Sequence, residues 1–384
     1  MTVVIAIIIG ILLLGFLVFV HEAGHFFTAK LFGVKVEEFG FGFPPRLWGK
    51  KRGETIYSIN AIPAGGFVRL FGEDGEHERQ QRSFSSKGPW RRSLIIAAGA
   101  CINLIIAFLI FTVLLGMGGF RSYFPSRLSA DQSVNLSLPF GVREQSILIA
   151  QVSKESPAQM AGLRSLDDVV SANGQRFQSV QAFQNFVKER GGQQITLKVK
   201  NIVDLGYRTV TVTPRQNPPK NQGALGVLLN PEFGRDIVTI EYQKPIEKVF
   251  SGPLHSVNML YFQGQALGAL VSQSFREGTP EPVAKNVSGP VGIISVLGLI
   301  VSESGLAILP ILQVVALISL ILGVINLLPI PAVDGGRLFF TVFEGLTGKR
   351  VNPNIERIIH TAGFAFLIVL FVIFTFNDIS RFFS

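Results

Sequence analysis

The sequence predicts a multi-pass α-helical membrane protein with four transmembrane helices, a small membrane-associated β-hairpin sheet and an inserted α+β domain. Of 384 residues, 48% are hydrophobic and 16% are charged, a balance that is typical of membrane proteins when the uncharged runs are long. Short strands and helices between Glu144 and Arg215 indicate the inserted domain. Four apolar segments are long enough for the hydrocarbon core, which takes about 20 residues: Val3–Val20 and onward through residue 27, Ser93–Leu115, Ile308–Leu328 and Ile358–Phe376.

The first apolar segment contains the sequence His21-Glu22-Ala23-Gly24-His25. Histidines four residues apart lie on the same face of a helix, so both imidazoles can reach one metal ion with Glu22 beside it. This is the HExxH zinc arrangement. Titratable groups at membrane depth are costly, which favours a functional interpretation. The alternative is a pair of interfacial histidines at the end of a membrane anchor.

Two basic loops predict how the chain is oriented in the plasma membrane. Twelve lysines and arginines lie between Lys30 and Arg92, and four more lie between Arg337 and Arg357. By the positive-inside rule both loops are cytoplasmic, so both termini and the region from Phe120 to Pro290 are expected outside. The formal net charge is +9. Because basic residues cluster in the two loops next to the membrane spans, this charge does not predict a nucleic-acid partner.

Strand-like segments follow the histidine motif. Val34–Phe43, Thr55–Ile62 and Phe67–Phe71 are separated by turn residues, which predicts a β-hairpin sheet beside the helix that carries the histidines. An open edge of this sheet would pair with an extended substrate peptide by strand addition. A cytoplasmic hairpin with no special role is the alternative.

The region Glu144–Arg215 has the element order of a circularly permuted PDZ domain: strand, short helix, strand, turn at Asn173-Gly174, helix and two strands. PDZ grooves bind peptides by β-augmentation. After it, Lys244–Phe275 predicts an amphipathic helix. Val291–Val301 is too short to span and predicts an interfacial or re-entrant piece. The predicted domains are 1–118 with the first two spans and the sheet at 34–72, 144–215 as the PDZ domain, 216–290 as its connector, and 291–384 with the last two spans.

A third metal ligand is predicted at the end of the third span. The sequence from Asn326 to Gly336 contains Pro329, Pro331 and Asp334. Prolines break a helix and leave carbonyls unpaired, which at membrane depth requires a cavity lining or burial in protein. Asp334 would complete a shell of two imidazoles and one carboxylate with water in the fourth position, which is an open, catalytic zinc site.

These motifs resemble the site-2 protease family of intramembrane zinc metalloproteases, in the branch of the regulator of sigma-E protease. The similarity covers nearly the whole chain. It rests on the HExxH motif at 21–25, the hairpin motif Pro63–Val68, the second-span motif Ala97–Asn103, the PDZ domain and the third-span motif Asn326–Gly336.

The resemblance implies one Zn²⁺ per chain, with His21, His25 and Asp334 as ligands and Glu22 as general base. It also implies peptide-bond hydrolysis in transmembrane protein substrates within the lipid bilayer, such as anti-sigma factors or remnant signal peptides, after a first cut by an upstream site-1 protease. The substrate-binding residues that it implies are Asn326, Asn103, Pro329, Pro331, Gly66 and Phe67.

Two other functions are compatible with part of the pattern. A membrane zinc transporter or sensor would use two histidines and an aspartate, but it would need neither Glu22 nor a PDZ domain. A catalytically inactive PDZ scaffold would not need the metal ligands. Metal content together with the effect of Glu22→Gln separates the three functions.

Overall fold

The computed structural model describes residues 2–73, 80–125, 127–129, 132–133, 138–220, 222–229, 237–287, 289, 292, 295, 298 and 308–383. The chain forms two compact units, Met1–Ile110 with Thr279–Ser384, and Phe111–Gly278. The helices are α1 (Thr2–Leu31), α2 (Pro89–Met117), α3 (Pro157–Met160), α4 (Val180–Glu189), α5 (Pro245–Val249), α6 (Ser251–Glu277), α7 (Glu281–Asn286), α8 (Ile308–Ile325), α9 (Asp334–Thr347) and α10 (Pro353–Phe383). The strands are β1 (Val36–Arg52), β2 (Thr55–Leu70), β3 (Arg121–Pro125), β4 (Arg127–Ser129), β5 (Gln132–Ser133), β6 (Val142–Gln145), β7 (Ile149–Val152), β8 (Asp167–Ala172), β9 (Ile195–Asn201), β10 (Tyr207–Val212), β11 (Val227–Leu229) and β12 (Ile237–Glu241).

Within the described residues, four helical segments are long and apolar enough to cross a membrane, as the sequence predicts. They are Ile7–Leu31, Pro89–Met117, Ile308–Ile325 and Asn354–Asp378. The first continues through the histidine motif, so the HExxH residues belong to a helix of membrane-spanning length. The second runs without a break through Gly99-Ala100, because no proline interrupts its backbone hydrogen bonds there.

The predicted hairpin sheet is present, with two long antiparallel strands instead of three short ones. The first part of β1 lies between two parts of β2: Gly40 pairs with both Ser58 and Phe67. The end of β2 from Gly66 to Leu70 is therefore paired on one side only within the described sheet. Buried side chains from α1, β1 and α2, including Phe26, Val36 and Ile95, form the core beneath it.

The second unit contains the predicted PDZ-like element order. Strands β8, β9 and β10 form one antiparallel sheet, and Ser156 and Ser179 cap α3 and α4 with their hydroxyl groups. Strand β11 pairs with β7, so the folded region that contains these strands continues beyond Arg215 to Leu229. The domain bounds 144–215 stay a prediction. Its core includes the fully buried Phe183.

The predicted connector at 216–290, with its amphipathic helix, also contains a strand. Strand β12 from this region pairs with β3 on one side and with β6 on the other. The predicted amphipathic segment is helical as α5 and α6. Most of Val291–Val301 lies outside the described residues, so the interfacial or re-entrant placement of this stretch stays a prediction.

Candidate metal centre

The structure brings Asp334 to the two predicted histidine ligands, which lie more than 300 positions earlier in the chain. His21 Nε2 lies 2.8 Å from Asp334 Oδ2, and His25 Nε2 lies 3.2 Å from both of these side chains. One donor atom from each residue lies within 4.8 Å of the other two. Two nitrogens and one oxygen that converge in this way are the donor set of an open zinc site.

The backbone between α8 and α9 places Asp334. Helix α8 ends at Ile325, and α9 begins at Asp334 after a non-helical segment. Gly335 makes this return possible, because a Cβ there would overlap the carbonyl oxygen of Leu328.

Backbone and side-chain contacts orient both imidazoles. His25 Nδ1 lies 2.8 Å from the carbonyl oxygen of Ile95 and donates to it, which leaves the Nε2 lone pair for a metal. The side chain of Asn103 lies 3.3 Å from His21 Nδ1. Its Oδ1 has no hydrogen-bond partner in the described part of the chain. When the oxygen and nitrogen of the Asn103 carboxamide are exchanged, His21 Nδ1–H donates to Asn103 Oδ1. The Nε2 lone pair of His21 is then also free for a metal.

The side chain of Asn103 is fully buried and contacts the predicted metal ligand His21. The contact with substrate that the resemblance implies for Asn103 stays a prediction. The other contact of Asn103 is through its backbone carbonyl, which accepts from Ser319 Oγ at 2.8 Å. We therefore interpret Asn103 as a positioning residue for His21.

Gly99 keeps space open beside the two imidazoles. A Cβ at this position would overlap His25 Nε2 and lie 2.7 Å from His21 Nε2. The backbone of α2 thus approaches the place where the ligand atoms converge, and the site fits a bound metal ion. The sequence placed Gly99 in the second-span motif but assigned it no function, because a close approach between helices has no local signature.

Glu22 faces a cavity of about 320 Å³ that His25, Asp334, Gly66 and Phe67 also line. Its Oε2 accepts a hydrogen bond from the backbone N–H of Val68, with 3.1 Å between the two atoms. We call this space the inner cavity. It contains the proposed general base, two of the metal ligands and the one-sided end of β2.

The other residues implied as substrate-binding have different positions. Asn326, Pro329 and Pro331 are not among the described residues that line the inner cavity. Pro331 packs against α10, where a Cβ at Gly363 would lie 2.9 Å from its carbonyl carbon. Their contact with substrate stays a prediction.

Comparisons with known proteins show the family of the chain. The model of Peptidase family M50 matches residues 9–370. The chain belongs to this family, the site-2 protease family. Family M50 members are zinc metalloproteases, and so is this chain, with Zn²⁺ as its cofactor. The transporter and the inactive scaffold therefore have no support.

Relatives of this M50 protein match over nearly their full length. A relative from Clostridium acetobutylicum is 33% identical over 373 residues, which is 97% of each chain. The regulator of sigma-W protease RasP from Bacillus subtilis is 28% identical, covering 97% of this chain and 98% of its own. A PDZ domain of an SdrC-like protein from Listeria monocytogenes aligns with 23% of this chain and 93% of its own, at 18% identity and a TM-score of 0.21.

Proposed function

We propose that this M50 protease cleaves single-span membrane proteins within or beside their transmembrane helices. The observation that carries the proposal is the placement of Glu22 and the three convergent ligands. His21 and His25 lie in a helical segment of membrane-spanning length, and Asp334 meets them there. Titratable side chains in a membrane-spanning segment carry a free-energy cost, which favours a function inside the membrane over that of a soluble peptidase.

The metal ligands and Glu22 have different roles in the proposed hydrolysis. When bound, Zn²⁺ lowers the pKa of its water to about 7 and polarises a carbonyl group. His21, His25 and Asp334 would hold the metal. Glu22 takes a proton from the attacking water and passes it to the leaving amine. The Val68 N–H keeps the carboxylate of Glu22 turned toward the inner cavity.

The end of β2 would hold the substrate in an extended form. A transmembrane helix hides its carbonyl groups in internal hydrogen bonds, so it must unwind before cleavage. Gly66 and Phe67 line the inner cavity, and the strand from Gly66 to Leu70 pairs with β1 on one side. An unwound substrate would add as a further strand on the other side.

The substrates that we propose are membrane-anchored regulators such as anti-sigma factors, or remnant signal peptides, already shortened by another protease. RasP is named as a regulator of sigma-W, which supports this class. We place the inner cavity near the cytoplasmic side of the plasma membrane and the PDZ-like region outside, because the loops that precede α2 and α10 are basic.

We propose that the PDZ-like region acts as a size filter rather than a tether. Lys200 Nζ donates to the carbonyl oxygen of Gly118 at 2.6 Å, so β9 is bonded to the segment that follows α2. Arg121 in β3 lies 3.7 Å from Asp168 in β8. These polar contacts bond β9 and β8 to Gly118 and Arg121 of the same compact unit, and a capture module on a free linker would not need them.

Cleavage of a tagged single-span substrate in vesicles tests the proposal. We expect Glu22→Gln to keep stoichiometric zinc and to lose turnover. Replacing residues 147–229 by a short linker is feasible because Gln145 and Val238 are paired. This deletion should leave cleavage of a pre-shortened substrate intact and raise cleavage of the full-length one. Full turnover by Glu22→Gln contradicts the mechanism, and loss of short-substrate cleavage in a zinc-loaded deletion variant contradicts the filter.

A further inference from the structure

A cationic side chain lies in the inner cavity beside the predicted metal ligands. Arg337 lines this cavity together with Glu22, His25 and Asp334. It follows Asp334 by three residues in α9, so the two side chains leave the helix on the same face. Among the described residues that line the inner cavity, Arg337 is the one lysine or arginine.

Glu73 holds the guanidinium of Arg337 in place. Arg337 Nη1 donates a short hydrogen bond to Glu73 Oε1. Glu73 Oε2 accepts from the backbone N–H of Leu70, the last residue of β2, at 3.4 Å. One carboxylate therefore fixes Arg337 relative to the strand that would pair with substrate. A guanidinium has five N–H donors in a rigid fork, and Glu73 takes one of them.

The charges in the inner cavity are consistent with a guanidinium that interacts with the substrate. Three carboxylates line it, from Glu22, Glu73 and Asp334. A bound Zn²⁺ and the guanidinium together balance these three charges. In a partly buried site such charges act more strongly than in bulk water, so Arg337 would attract negative charge that develops on a substrate atom nearby.

We propose that Arg337 is a further catalytic residue, which donates a hydrogen bond to the scissile carbonyl oxygen as that oxygen becomes anionic. This inference rests on the proposed function of Glu22. The oxygen of the attacking water bonds to the carbonyl carbon, the π electron pair moves onto the carbonyl oxygen, and the water's proton passes to Glu22. On collapse the carbonyl re-forms, the C–N bond breaks, and the proton passes to the amine nitrogen. Fixed donors aimed at such an oxygen stabilise the transition state selectively.

Steady-state kinetics of Arg337→Gln give the first test. Loss of one oxyanion donor typically lowers kcat by about 100- to 1000-fold, and we expect this range with little change in KM and unchanged zinc content. Arg337→Lys should recover part of kcat, because it keeps the charge without the planar fork. Arg357→Gln is the control: Arg357 lines a second cavity of about 720 Å³, which shares Arg337 and Glu73 with the inner cavity but contains none of the proposed metal ligands. Because Arg357 does not line the inner cavity, its loss should leave kcat unchanged.

Binding of two uncleavable peptides gives the second test, which does not depend on turnover. One carries a phosphinate in place of the scissile amide, with a tetrahedral anionic centre. The other carries an uncharged methylene group there. We expect Arg337→Gln to bind the phosphinate peptide about 100-fold more weakly, in line with its kcat, and the methylene peptide equally well.

Three outcomes distinguish the possible failures. Equal affinity of wild-type protein and Arg337→Gln for the phosphinate peptide would overturn the catalytic role of Arg337. Loss of zinc from Arg337→Gln would also overturn it, since that result indicates a structural role. Wild-type protein that holds zinc but neither cleaves the substrate nor binds the phosphinate peptide would instead contradict the proposed function.

Discussion

The carboxylate of Glu22 is bonded to the backbone N–H of Val68, with 3.1 Å between Oε2 and the nitrogen. Val68 in turn pairs with Phe39 in β1. The proposed general base is thus oriented by the same strand that would hold the substrate. Strand β2 therefore positions both the general base and the edge that would pair with substrate. A change in β2 should affect catalysis without removing any metal ligand.

Val68→Pro removes this donor, because proline has no backbone N–H. A hydrogen bond to a charged group contributes about 1.5 to 3 kcal/mol, so we expect kcat/KM to fall by at least about tenfold with zinc retained. Val68→Ala keeps the N–H and is the control. Peptide cleavage and zinc content, measured on the same samples, check this prediction, and wild-type turnover by Val68→Pro would contradict it.

Gly99→Ala should weaken zinc binding. The added methyl group would overlap His25 Nε2 and crowd His21 Nε2, so both imidazoles must move away from Asp334. The matched control is Gly116→Ala in the same helix, where a Cβ meets no atom within 4 Å. Competition with a chelator measures zinc affinity. Equal zinc affinities of Gly99→Ala and Gly116→Ala would contradict the prediction, because they would show that α2 shifts to accommodate the methyl group at position 99.

Asn103→Leu should lower zinc affinity by about 10- to 100-fold, the usual effect of losing a partner that orients a metal-binding histidine. Asn103→Asp keeps an acceptor for His21 Nδ1–H and should retain most of the affinity. Ser319→Ala removes only the contact to the Asn103 backbone and serves as control. Unchanged zinc affinity in Asn103→Leu, with cleavage reduced, would return Asn103 to its predicted substrate-binding role.

The stability of the second unit should fall at mildly acidic pH. Complete burial lowers the pKa of His255 to about 4 from an ordinary value of 6.5. Between these values the unfolded chain binds a proton that the folded chain does not, so unfolding becomes easier as pH falls from about 6.5 to 4. His255→Leu should flatten this part of the profile. Melting temperatures of the full chain in detergent, taken at several pH values, check the prediction, and equal slopes would contradict it.

Much of the fold and the proposed site could be predicted because the signals are local. The spacing of His21 and His25 on one helix, and the proline and glycine pattern before Asp334, each belong to a short stretch of sequence. In the second unit, Ser156 and Ser179 mark helix starts, and Asn173-Gly174 marks a turn. Each signal specifies its own element without information from the rest of the chain.

The parts that could not be predicted depend on contacts between distant residues. Strand β12 pairs with β3, more than 100 residues earlier, and neither short strand has a distinctive pattern. The approach of Gly99 to the histidines and the bond from Asn103 to His21 arise where two helices pack. Arg337 and Glu73 likewise meet only in the folded chain, although Arg337 is visible in the sequence as a helical neighbour of Asp334.

We propose that His21, His25 and Asp334 hold one catalytic zinc ion. X-ray absorption at the zinc edge tests it most directly, with purified wild-type protein compared with Asp334→Ala. We expect a four-coordinate ion with two imidazole nitrogens and two oxygens in wild-type protein, and loss of zinc and of cleavage in Asp334→Ala. An Asp334→Ala protein with stoichiometric zinc, an unchanged spectrum and full activity would contradict it.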